Sequence, residues 1–430
     1  MYFNDIITRI EDEKFVDRSR SEDGGKGFSR NRKITFIHLI VLLTQGLNRS
    51  IQRELNSFYQ KLQQTDFSIQ HVTKGAFSRC RSKLKPAAFI ELNQVGIKSF
   101  YANAPWRSWK GFRLLAIDGS TAVLPNHKTI KADFGTTNFG PHADSPRSVA
   151  RTSVLYDVLN LTVLDAQIDK YDQSEREMAR RHLNFAEAGK DLVIFDRGYP
   201  SLALMFEMQA RGINYLIRMQ ADRWLEIRKM LSAGEKDKQV TFKLPESEAE
   251  LLKKFDTTDR NLNCRLVHVQ LEDGISEVLC TSVLSPEILP YDCFAELYHY
   301  RWNIEEGYKL FKCRLQLEAF SGKTAVAVKQ DFFAKIFTMT TSAVLAFPID
   351  EKLKAEQTSK RKHCNKVNKT NALSMTSEIA FKIIINKMIK PAIAAFDKIM
   401  KATTELVRKN RTFARKKIRK KPPSMNYKQL

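Results

Sequence analysis

FRLLAIDGSTAVL, residues 112–124, and KDLVIFDRGYPS, residues 190–201, carry the reading of this 430-residue chain. In each, an apolar run (Leu114–Ile117, Leu192–Phe195) reads as a buried strand, and an aspartate, Asp118 or Asp196, follows directly. Arg197-Gly198-Tyr199-Pro200 then turns the chain. Between the two, Arg151–Leu159 and Leu161–Ile168 are β-rich runs around Asn160 that read as an antiparallel hairpin, and Gln173–Ala188 has the pattern of an amphipathic helix. After Asp196 come a helix, Leu202–Arg211, and a strand, Tyr215–Arg218. The order predicts an α/β sheet with both aspartates at carboxyl ends of strands, where ligands gather in open sheets. A lone aspartate there is ordinarily a turn former. Two could converge on a divalent ion, and oxygen donors suit Mg²⁺ or Mn²⁺ rather than zinc.

A third acid lies in YHYRWNIEEGYKLFK, residues 298–312. As one continuous helix, Tyr298, Arg301, Glu305 and Lys312 would share an arc of about 60° along roughly 21 Å, with Lys309 extending the stripe. Leu297, Ile304, Leu310, Phe311 and Leu315 would form the core-facing side. Such a helix is ordinarily a solvated charged face. A carboxylate among cations on a helix anchored by its back also suits a metal ligand facing a phosphate backbone.

With these residues in place, the chain resembles the bacterial insertion-sequence transposases of the DDE type, in the group marked by a Tyr-x2-Arg-x3-Glu-x6-Lys signature. Tyr298, Arg301, Glu305 and Lys312 match every spacing, Asp118 in AIDGS and Asp196 in FDRGYPS match the two aspartate motifs, and FSGKT and VKQDFFAKI downstream are also similar. The resemblance covers roughly residues 30–345. It implies a ribonuclease H-like catalytic core of mixed sheet and helices. Asp118, Asp196 and Glu305 would be catalytic and would hold two Mg²⁺ (or Mn²⁺) ions for an in-line displacement at phosphorus. Arg301 and Lys312 would grip phosphates, with Lys309 beside them, and Tyr298 would contact the DNA backbone. The resemblance also implies cut-and-paste cleavage and strand transfer at element ends, double-stranded DNA as partner at the ends and at the target, and a homodimer in the DNA complex.

Composition agrees with a nucleic-acid enzyme, since a net charge of +23 steers a protein onto polyanions. The six cysteines show no Cys-x2-Cys pair, which argues against a zinc site and fits reduced thiols. The apolar run Ile34–Leu43 is too short to span a bilayer. These features predict a cytoplasmic protein, nucleoid-associated when bound to DNA, with no membrane partner.

The division predicted is a helical N-terminal DNA-binding region over 1–110, a catalytic core over 111–218 and 277–345, a β-rich insertion over 219–276, and a basic helical C-terminal region over 346–430. In the family, such an insertion helps bind the element end, and Trp224 is its only tryptophan. The tryptophan is a candidate for stacking on a flipped base, or equally for packing. Arg79 and Arg81, in SRCRSKLKP, suit either DNA binding or a solvated basic face. Residues 11–33 read as flexible, and the stretch 351–369 and the last thirty residues are lysine-rich. Two rivals share parts of this pattern: a ribonuclease H-like DNA nuclease without transposition, and a catalytically silent DNA-binding relative.

Overall fold

The computed structural model describes residues 1–22, 27–29, 32–138, 146–270, 276–356 and 364–407. Helices α1 (Tyr2–Glu11), α2 (Glu13–Arg18), α3 (Phe36–Thr44), α4 (Ile51–Gln63), α5 (Lys74–Arg81) and α6 (Ala87–Asn103) precede the first strand, β1 (Arg113–Val123). Then follow α7 (Lys128–Phe134), β2 (Val149–Asp157), β3 (Val163–Lys170), α8 (Glu175–His182), β4 (Asp191–Phe195), α9 (Leu202–Ala210) and β5 (Asn214–Met219). Next come α10 (Leu225–Ser232), β6 (Asp237–Lys243), α11 (Ala249–Lys254), β7 (Asn261–Gln270), β8 (Ser276–Thr281), α12 (Phe294–His299) and α13 (Trp302–Lys309). A π-helical turn (Leu310–Arg314), α14 (Ala325–Ala355), α15 (Lys369–Ile384) and α16 (Ile389–Ala402) complete the helices described.

The sheet runs β3-β2-β1-β4-β5-β8-β7-β6. Its first five strands stand in the 3-2-1-4-5 order of the ribonuclease H-like arrangement. Strands β1, β4 and β5 are parallel neighbours, and β4 is buried along its whole length. A parallel strand covered on both faces needs a continuous apolar run, and Leu192–Phe195 supplies it. At the start of this pair, Arg113 donates two bonds of 2.6 Å to the buried Asp191 carboxylate, which pins the register of β1 against β4. The β1–β2 pair is antiparallel: Val158 N–H donates to Leu114 O at one end, and Leu124 N–H to Ser148 O at the other. Asp157 closes the β2–β3 turn by accepting from the N–H groups of Leu159 and Asn160 at 2.9 and 2.8 Å.

Several expectations are corrected. The region 219–276 does not stand apart from the sheet, because β8 pairs antiparallel with β5 and carries β7 and β6 outward as an extension. Edge strand β6 alternates exposed and buried residues, as a strand with one solvated face must. The chain forms two compact units, one of residues 1–104, 122–150 and 309–430, the other of residues 105–121 and 151–308. Within 11–33, residues 13–18 form α2, capped by Asp12, which accepts from Lys14 N–H at 3.0 Å. Residues 23–26, 30–31, 357–363 and 408–430, with most of the basic tail, lie outside the described residues.

The helical unit is organised on α14, against which α3, α6, α15 and α16 pack. Most of the apolar run Ile34–Leu43 forms α3. Helix α14, with 31 residues, is long and apolar enough to cross a membrane, but 78% of its apolar window is already buried against protein. All six cysteines are free thiols.

Candidate active site

The β1–β4 register places Arg113 opposite Asp191 and Ala116 opposite Ile194. The same offset brings Asp118 level with Asp196, the first residue past β4. Adjacent strands lie about 4.8 Å apart, so the two aspartates are side by side in mid-sheet. Asp118 is not at the end of its strand, as the sequence suggested. It is in the middle of β1, which runs on to Val123 because β2 continues to pair with it.

The third acid comes from the signature segment, which is not one helix. It breaks at Tyr300–Arg301, resumes as α13 and ends in the π-helical turn. Tyr298 and Arg301 lie inward, 1% and 5% exposed. Neither therefore lies on an outward stripe. The Tyr298 hydroxyl donates to Asp196 Oδ1 at 3.3 Å, and two guanidinium groups lie near its ring, Arg301 5.5 Å and Arg218 5.9 Å from its centroid. Arg301 Nη2 donates to Glu305 Oε1 at 3.0 Å.

The charges are partly compensated from within. Arg218, on β5, donates from Nε to Asp196 Oδ1 at 2.9 Å and from Nη1 to Glu277 Oε1 at 2.7 Å. Burial pushes the Asp196 carboxyl up, but Arg301, the Arg197 N–H and Arg218 outweigh it and hold it below its ordinary value. Asp118 goes the other way. Burial raises it, Glu305 and Asp196 add to the rise, and the Gly119 N–H and Arg301 oppose without cancelling, so the carboxyl is pushed up to about 6. Two buried polar atoms beside the acids lack a hydrogen-bond partner among the described residues, the Tyr199 hydroxyl and Arg301 Nε. The Tyr199 hydroxyl is also driven well above its ordinary range, by burial and then by Asp118, Glu175 and Asp196.

The fold thus brings together Asp118, Asp196, Glu305, Tyr298 and Arg301. Among the described residues, no three carboxylates, histidines or cysteines close into a group that could by itself enclose a metal ion. The reason is local. Asp196 is turned onto Arg218 and Tyr298, and Glu305 onto Arg301, so each acid faces an internal partner. The donor set is nonetheless hard oxygen in an excess of negative charge, which fits Mg²⁺ or Mn²⁺.

Other candidates stand elsewhere. Trp224 is half-buried and packs edge-on against Phe242, with ring centroids 5.2 Å apart. Arg81 is 4% exposed and holds Gln330 Oε1 at 2.6 Å, Ala327 O at 2.7 Å and Asp331 Oδ1 at 2.7 Å. It is an internal tie of the helical unit and has no donor left facing solvent, which corrects its assignment to DNA. Arg79 is exposed on the same helix, beside a cavity of about 790 Å³ that Arg32, Lys33 and Lys83 also line. Lys309 is exposed and Lys312 half-buried, both in the helical unit. Residue-by-residue reading missed Arg218, Glu277, Tyr199 and Tyr308. Only Tyr199 carried a signal, its place in the second aspartate motif.

A sheet in this order, with two aspartates on adjacent central strands and a glutamate from a later helix, defines a ribonuclease H-like protein with a three-acid cluster. The transposase DDE domain family matches residues 109–340, more than half of the chain, and the chain belongs to that family. It is 24% identical over 250 residues to the transposase InsG for insertion sequence element IS4 of Escherichia coli (strain K12). That match covers 57% of this chain and 54% of the relative, so the chain spans about half the length of the curated protein it matches. Over 92% of its length it also aligns with 84% of the piggyBac transposase in a cryo-EM synaptic complex with hairpin DNA, at 8% identity and a TM-score of 0.47. Enzymes of the DDE type generally work with divalent metal ions.

Proposed function

We propose that this protein is a DNA transposase that binds the ends of its insertion sequence and cuts and rejoins DNA with Asp118, Asp196 and Glu305. The observation that carries the reading is the convergence of negative charge at one place: the β1–β4 register sets Asp118 level with Asp196, and burial first, with Glu305 and Asp196 adding to it, pushes the Asp118 carboxyl up to about 6 even with Arg301 beside it. A divalent cation would relieve that charge. Asp118, Asp196 and Glu305 would hold two Mg²⁺ or Mn²⁺ ions, which when bound supply Lewis-acid activation of the attacking oxygen and stabilise the leaving one.

The chain's own residues do the rest. Arg301 and Arg218 hold Asp196 ionised, and Arg301 aims Glu305, so little reorganisation remains when charge develops. Arg301 Nε, a buried donor with no partner among the described residues, leaves the guanidinium with unspent hydrogen-bonding capacity beside the acids. Lys309 and Lys312 add cationic contacts to the DNA backbone, Arg79 adds another on the helical N-terminal region, and Tyr298 steadies Asp196. A homodimer on DNA and a cytoplasmic, nucleoid-associated location belong to the same proposal.

The test incubates wild type and Glu305→Ala with labelled DNA flanking the gene, in Mg²⁺ or Mn²⁺, and sizes the products at nucleotide resolution. Metal-dependent cuts at paired inverted ends, lost in Glu305→Ala while binding persists, are expected. Sequence-indifferent nicking would favour the plain nuclease. Binding without cutting would favour a silent relative.

A further inference from the structure

Two side chains from outside β1 converge on the main-chain oxygen of Asp118. The Tyr308 hydroxyl donates to it at 2.9 Å and the Ser153 hydroxyl at 3.3 Å. Tyr308 lies three residues beyond Glu305 on α13 and is 8% exposed, and Ser153, on β2, is fully buried. Residues three apart share a helix face, and a helical turn is stiff, so a bond at Tyr308 also fixes where Glu305 stands. Ser153 is held in turn, 3.0 Å from His182 Nε2, while His182 Nδ1 is 2.7 Å from Asp165 Oδ2.

A Ser-His-Asp row of this kind is the make-up of a nucleophilic triad. Here Ser153 and His182 have no exposure, so no substrate can reach the hydroxyl. Its reach is toward Asp118 instead. Ser153 has one proton and two acceptors nearby, His182 Nε2 and Asp118 O, whereas Tyr308 makes the shorter bond to the carbonyl. Tyr308 is therefore the main anchor and Ser153 the support.

We propose that Tyr308, backed by Ser153, is a positioning residue that ties the main chain at Asp118 to the helix bearing Glu305 and so sets the spacing of the first and third acids. The inference rests on the reading of those acids as metal-holding. Neither hydroxyl needs to touch DNA or metal. Both act through the backbone that carries an acid, as groups behind metal ligands commonly do.

Tyr308→Phe removes the hydroxyl and keeps the ring, and Ser153→Ala removes the support. Mn²⁺ binding to the DNA-free protein is read by isothermal titration calorimetry, beside the Mg²⁺ midpoint of single-turnover cutting and the affinity for DNA. In Tyr308→Phe the Mn²⁺ dissociation constant is expected to rise roughly tenfold or more, the Mg²⁺ midpoint to move the same way, and DNA affinity to hold. Ser153→Ala shifts both metal readouts in the same direction by less. The double variant loses more than the product of the two, since the carbonyl then has no side-chain donor.

Unchanged Mn²⁺ affinity in Tyr308→Phe overturns the proposal. If that variant does not fold, unchanged affinity in Ser153→Ala does so. Asp118→Asn separates the two levels. Full cutting in Asp118→Asn would remove the active-site reading itself. Loss of cutting there, with metal binding untouched in Tyr308→Phe, would remove only the anchor.

Discussion

Replacing Asp118 by Asn should make the metal-free protein more stable at neutral pH while abolishing its chemistry. The unfolded carboxyl titrates near 3.8 and the folded one at about 6. Below that interval Asp118 is protonated in both states, and above it ionised in both. Within it the folded protein keeps a proton that the unfolded chain releases, so stability falls as pH rises from about 3.8 to about 6. At about 1.36 kcal/mol per pH unit, the gap sets a ceiling near 3 kcal/mol on the cost of ionised Asp118. The side chain is only half-buried, and water screens part of that cost, leaving about 1–2 kcal/mol.

Asparagine keeps an acceptor for the Gly119 N–H, 2.9 Å from Oδ1 in the wild type, and cannot ionise. The assay is urea unfolding in chelator, followed by tryptophan fluorescence. All four tryptophans, Trp106, Trp109, Trp224 and Trp302, belong to the compact unit that holds Asp118, so the signal reports on it. A gain of about 1–2 kcal/mol is expected at pH 7.5, falling to about a third by pH 4.5. Saturating Mg²⁺ should stabilise the wild type alone and reverse the order. A variant no more stable than wild type at pH 7.5, or equally stabilised at both pH values, would refute the reasoning.

Two further outcomes follow from the ion pairs. Arg81→Ala leaves Asp331, which is only 4% exposed, without its cation and should cost roughly 3–5 kcal/mol of stability, measured by thermal melts. Arg218→Gln removes a guanidinium that offsets the burial of Asp196, so its carboxyl should titrate higher and the acid limb of the cutting profile should move to higher pH. Measuring single-turnover rates between pH 5 and 8 checks this, and an unmoved limb would count against it.

The sequence by itself determined the elements and the acids. A buried parallel strand must be a continuous apolar run, so Leu114–Ile117 and Leu192–Phe195 were legible, and with them the aspartates they deliver. The order of strands followed from the same patterns, and the spacing of the signature named Glu305. Facing was not legible. Arg79 and Arg81 lie two residues apart on one helix, yet one is exposed and the other is tied to Asp331, a residue 250 positions away. Helical periodicity sets the angle between side chains, whereas the elements packed against a helix decide which angle becomes the interior. The same limit hid the break at Tyr300–Arg301 and the inward placement of Tyr298 and Arg301. It hid the partners of the acids as well. Arg218, Glu277 and Tyr308 sit on elements far apart in the chain, and only tertiary packing brings their donors and acceptors within hydrogen-bond reach of the acids or of one another.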